Sequence, residues 1–220
     1  MIKKKNIILS SISLILILGL IHCFFGCTPQ TKKGLKIYID SDLEGASGVV
    51  HFDRHSRATA PLFEQSKILL TKEINAAIEG LIEEGVSEIV LWDDHGPGGI
   101  NIEYLHPAAK VAMGQGESIL NTIDSSFDAL IFIGKHPMSN TPNGNLAHSF
   151  SSKAINNIWL NGKLIGEVGW AVLMASYYNV PTIFLSGDDA VCDEIKDLIP
   201  NVETVAVKKG LGLNSALCLP

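Results

Sequence analysis

Five short runs of aliphatic and β-branched residues punctuate the chain, at 36–41 (KIYIDS), 88–92 (EIVLW), 128–134 (DALIFIG), 182–187 (TIFLSG) and 203–207 (ETVAV). Near-continuous apolar runs of this length suit strands buried on both faces. Between several of them lie patterns with helical spacing: Leu70, Ile74, Ala77, Ile78 and Leu81; then Val168, Val172, Leu173 and Ala175; then Ile195, Leu198 and Ile199. Parallel neighbours need a crossover long enough to hold a helix, so this alternation predicts an α/β fold with a mostly parallel sheet flanked by helices. One segment, IWLNGKLIGE, breaks the rule: Asn161-Gly162 between apolar runs predicts a β-hairpin insertion.

The residues able to do chemistry cluster where the runs stop. Asp42 and Glu44 follow the first, Asp93, Asp94 and His95 the second, His136 the third, Asp188 and Asp189 the fourth. The carboxyl ends of parallel strands share one edge, where ligands bind, so these residues are expected to converge. Asp40, Asp42 and Glu44 also alternate, which puts three acids on one face of an extended chain. Burying like charges without partners costs several kcal/mol each on an order-of-magnitude scale, so the acids call for solvent or a cation. Hard oxygen from Asp42 and Glu44 with imidazole from His95 and His136 suits zinc or a similar ion better than calcium. Singly, such residues are helix caps or loop histidines; four on one edge favour a site. Glu167 opens a helix, where an acid also complements the dipole, and His148 is a natural proton carrier if it lies near a metal. His51 and His55 are expected at the surface, and His106 in a turn before Pro107. The serine of GASG lacks nucleophile-elbow spacing, and the chain has no phosphate-binding P-loop motif.

A length of 220 residues with 46% hydrophobic and 18% charged content supports one substantial core. The net charge of −6 argues against a nucleic-acid partner. Residues 1–26 combine Lys3-Lys4-Lys5 with a long apolar run and read as a lipoprotein signal peptide, with Cys27 after Gly26 as the lipidated residue. Phe24 stands where such cleavage boxes usually have Leu; the competing reading is an uncleaved membrane anchor over 7–26. Residues 27–35 form a polar tether and 36–220 the folded domain, giving an expected exported, membrane-anchored envelope lipoprotein. Cys192 and Cys218 lack zinc-knuckle spacing.

Ser41-Asp42-Leu43-Glu44-Gly45 resembles the SxDxEG signature of the DppA-type D-aminopeptidases, a family of binuclear zinc metallopeptidases. WDDHG is similar to that family's histidine-ligand motif, GKHPMSNTPNGNLAHS to its G-x-H and catalytic-histidine segments, and NGKLIGEVG to its hairpin and glutamate ligand. The likeness runs from about Lys36 to the C-terminus. It implies that Asp42, Glu44, His95, His136 and Glu167 hold two zinc ions, with Asp42 as the bridge. It also implies that His148 is the catalytic histidine, as nucleophile or as proton carrier for an activated water. The implied reaction releases N-terminal D-amino acids, D-alanine above all, from short peptides, and the implied assembly is a homo-oligomer. Asp40 replaces the family's first serine, either adding charge beside the metals or facing solvent. The resemblance further implies that the family's C-terminal segment is missing after NSALCLP. Two rival readings are a non-catalytic, lipid-anchored metal- or peptide-binding protein, and a haloacid-dehalogenase-type phosphatase using the D-x-D of YIDSDLEG.

Overall fold

The computed structural model describes residues 34–114 and 122–220; the expected signal peptide, Cys27 and the tether up to residue 33 lie outside the described residues. In chain order the elements are β1 (Lys36–Ser41), α1 (Phe63–Glu83), β2 (Glu88–Asp93), β3 (Ala109–Ala112), β4 (Ala129–Lys135), β5 (Ile158–Leu160), β6 (Lys163–Ile165), α2 (Glu167–Tyr177), β7 (Thr182–Asp188), α3 (Asp189–Leu198), β8 (Glu203–Gly212) and β9 (Ser215–Cys218). Seven strands form one sheet in the order β3-β2-β1-β4-β7-β8-β9, parallel throughout except for the last pair. β5 and β6 make the separate antiparallel hairpin, with Asn161 and Gly162 at φ 50° and 79° as a two-residue turn requires.

Alternation along the strands sorts the core into two layers. Ile37, Ile39, Ile89, Leu91, Ile131 and Ile133 pack with Leu70, Ile74 and Ile78 of α1 on one face. Tyr38, Leu130, Phe132 and Leu185 pack on the other face with Val168 and Ala171 of α2 and Val191 and Ile195 of α3. Helices on both faces are what near-continuous apolar strands demand.

The strand order sets the site. β1 lies between β2 and β4, so successive crossovers leave it in opposite directions and open a crevice at its carboxyl end. Asp42 and His136 directly follow β1 and β4, and His95 lies two residues past β2, near that point.

Candidate metal centre

Two loops at the crevice touch backbone to backbone. The Asp42 amide donates to Ile133 O (3.0 Å) and the Gly45 amide to Gly134 O (2.7 Å). A Cβ on Gly45 would lie 2.0 Å from Lys135 O, and one on Gly134 would lie 2.2 Å from Asp42 O, so only glycine allows the approach. Gly134 also sits at φ +75°, a conformation that side chains disfavour. Lys208 of β8, fully enclosed, donates from Nζ to the carbonyls of Glu44 and Val49, tying down the far side of the acidic loop. Asp93 accepts from Gly99 N (2.7 Å) and Ile100 N (3.2 Å) and so closes the loop bearing Asp94 and His95.

Asp42 turns its two oxygens in different directions. Oδ1 lies 3.3 Å from His95 Nδ1, which is also 2.9 Å from Glu44 Oε2. Oδ2 lies 3.3 Å from His136 Nε2, itself 3.6 Å from Glu167 Oε1. The other nitrogens fix the tautomers: His95 Nε2–H donates to Ser56 O (2.8 Å), and His136 Nδ1–H donates to Pro137 O (3.0 Å). Lone pairs therefore face carboxylates on both sides of Asp42.

Acceptors facing acceptors at such distances need a cation between them, a proton or a metal ion. The electrostatics agree. Burial pushes both imidazoles down, yet Glu44 and Asp42 hold His95 well above its ordinary value, and Glu167 and Asp42 do the same for His136. Burial likewise raises Asp42, but Lys135, His136 and His95 carry it well below the usual carboxylate range. Glu44 Oε2 and His136 Nε2 are buried without hydrogen-bond partners among the described residues. Asp42, Glu44 and His95 bring ligand atoms within 4.8 Å of one another, as do His136, His148 and Glu167. A borderline ion such as zinc fits this mixed oxygen and imidazole set.

His148 reaches the centre from a loop rather than a strand end. Asn143, Leu146 and Phe150 adopt φ of 59°, 53° and 57°, and the Asn145 amide donates to Asp188 (2.8 Å). The ring stacks on His136 with centroids 3.9 Å apart. Nδ1–H donates to Leu146 O (2.8 Å), leaving Nε2 bare and 3.9 Å from Glu167 Oε1. Burial and the neighbouring His136 lower its pKa.

All six expected site residues thus converge, whereas Asp188 and Asp189 stay outside. Asp188 caps α3 through Val191 N (2.9 Å), and Asp189 accepts from Gly210 N (2.8 Å). His51 and His55 are half-buried rather than exposed, His51 capping the turn Phe52–Ser56 through its Nδ1. Asp40 is fully buried and ion-paired with Lys135 (2.8 Å), so it neither faces solvent nor offers a phosphatase nucleophile. Lys135 itself escaped the sequence reading; a lysine ending a wholly apolar buried run was the signal, since such a charge needs partners.

Carboxylates and imidazoles gathered in a crevice at the strand-order reversal define a metal-dependent hydrolase on an α/β sheet. Comparison with known proteins narrows this class. The family model of peptidase M55, described as D-aminopeptidase, matches residues 35–220, and the chain belongs to that family of metallo-aminopeptidases. It is 31% identical over 188 residues to a D-aminopeptidase of Bacillus subtilis (strain 168), spanning 84% of this chain and 68% of that protein. It superposes, with TM-score 0.80 and 30% identity, on the Zn-dependent D-aminopeptidase DppA from Bacillus subtilis, a self-compartmentalizing protease, over 84% of this chain and 68% of that one.

Proposed function

We propose that this chain binds two zinc ions and removes N-terminal D-amino acids, D-alanine foremost, from short peptides. The observation that carries the reading is the division of Asp42 between His95 and His136. Asp42, Glu44 and His95 would hold one ion and Asp42, His136 and Glu167 the other. Bound zinc supplies Lewis-acid polarisation of a carbonyl and a lowered pKa for water. The chain supplies the rest. The buried walls of the crevice limit competing water. His148 Nε2, bare and unprotonated near neutrality, takes a proton from attacking water and returns it to the departing amine.

The relatives' names support the D-specificity. Exposed Leu211, Leu213, Leu217 and Leu219 near the β8–β9 turn support self-association into a homo-oligomer. The sequence of residues 1–27 supports export and lipid anchoring through Cys27 at the cell envelope.

Elemental analysis with a D-alanine release assay tests the core of this reading. About two zincs per chain are expected, falling below one in Asp42→Ala, and His148→Ala should lower kcat by at least about a hundredfold with zinc retained. One zinc per chain, or preference for L-alanyl peptides, would overturn it; zinc without any turnover would leave the peptide-binding role.

A further inference from the structure

Two cavities share a wall at His148. The first, about 350 Å³, is lined by Asp42, Glu44, Asp94 and Glu167. The second, about 430 Å³, has Ser139, Asn143 and Asn156 in its lining and no acidic side chain. His148, Ser152 and Lys153 line both. Lys153 is exposed, and only its backbone amide is engaged, by Ser151 Oγ at 3.4 Å. Its ammonium has no hydrogen-bond or ion-pair partner among the described residues. The other cation of the first cavity, Arg57, is committed to Asp53 at 2.6 Å. Lys153 is therefore the uncommitted cation on the wall of a second cavity that has no carboxylate in its lining.

We infer that the second cavity seats the leaving part of the peptide and that Lys153 binds its free C-terminal carboxylate. The inference rests on the aminopeptidase reading above and adds to it the class of substrate: a short peptide with an unblocked carboxyl end. Such a peptide is a dipole, with an ammonium at one end, a carboxylate at the other and at most roughly 3.3–3.6 Å per residue between them. The aminopeptidase reading places the amino end at the metal centre, on the near side of His148. The carboxyl end then runs past His148 into the second cavity, where Lys153 is the cation able to meet it. The scissile amide then crosses the shared wall beside His148 Nε2, where the proton must be handled. Asn143 and the hydroxyls of Ser139 and Ser152 complete a polar, uncharged lining suited to a peptide backbone. Lys153 is thus a specificity-determining residue, acting through a solvent-screened ion pair of modest strength.

The test compares D-Ala-D-Ala with its C-terminal amide on the zinc-loaded full chain. The free acid should be favoured about fivefold in kcat/KM, carried by KM, as one exposed ion pair predicts. Lys153→Ala should abolish the preference, Lys153→Arg should keep it, and Lys153→Glu should reverse it. Equal handling of acid and amide by the wild type, or a preference that survives in Lys153→Ala, would overturn the assignment. If neither peptide is cleaved, the aminopeptidase reading fails on its own account, and calorimetric titration with the same two peptides decides the subsite. Tighter binding of the acid that disappears in Lys153→Ala supports it, and equal binding overturns it.

Discussion

Lys135 carries more electrostatic weight than any other side chain behind the site. Its ammonium contacts Asp40 at 2.8 Å and Asp94 at 2.5 Å, and it stands 3.9 Å from Asp42. Burial would discharge it, but Asp40, Asp94 and Asp42 hold it well above its ordinary value. One lysine cannot neutralise several acids, and burial raises Asp40 to about 6 despite the ion pair. Removing one partner of such a group strands a buried charge. Lys135→Met should therefore destabilise the fold by about 3 to 5 kcal/mol in urea unfolding, and Asp40→Asn on that background should restore most of the loss. Additive losses in the double variant would mean that the pair is not coupled. The acids of the signature were legible because each follows a strand and acids there demand a cation. Lys135 was not: strict alternation puts it on the side of Ile131 and Ile133, and only the positive φ of Gly134 and an irregular β4–β7 register send it toward Asp40.

At the scale of elements, β1 and β4, buried on both faces, announced themselves, as did the three α-helices of the described residues and the hairpin, while β8 is a strand as expected but largely exposed over 203–207. The elements that went unread lie near the sheet edges. β3, reading AKVA, is short and half-exposed, and its strand state comes from pairing with β2 rather than from its own pattern. β9 owes its conformation in the same way to antiparallel pairing with β8, which extends well past the apolar run. The His148 loop was equally opaque, because its path depends on positive-φ residues and on the distant Asp188. Elements also cooperate through titration. Glu194 on α3 accepts from Met138 N (2.8 Å), holding the segment that follows His136. Burial raises its pKa from 4.5 to about 7. The folded state thus binds more protons than the unfolded chain between those values, so this contribution to stability falls as pH rises through the window. Glu194→Gln keeps the acceptor and removes the titration. Subtracting its unfolding free energy from that of the wild type should give a difference that falls by up to about 3 kcal/mol from pH 4.5 to 8. A flat difference would mean that Glu194 is already solvated.

At the scale of the whole domain, the centre ties together parts of the chain that share little else. Its donors follow β1, β2 and β4 and open α2, with His148 supplied by a separate loop. The unfolded chain scatters these donors over more than a hundred positions, so an ion that holds them together binds the native state almost exclusively. Ligand at about a thousandfold above Kd then adds about 4 kcal/mol of stability. For a domain of this size that corresponds to roughly 8–16 °C in Tm, at 2–4 °C per kcal/mol. Chelation should lower Tm by that much and zinc should restore it, while Asp42→Asn, which weakens both halves of the cluster at once, should show less than half the span. The bonds from Lys208 to the Glu44 and Val49 carbonyls and the glycine contact between loops do not run through the donor side chains. The chelated protein should therefore keep its far-ultraviolet circular dichroism below the lowered Tm. If zinc-loaded protein lost its metal to the chelator with no change in Tm, the donors would have to be held equally well by protons on His95 and His136, and the site's stability would come from the fold alone.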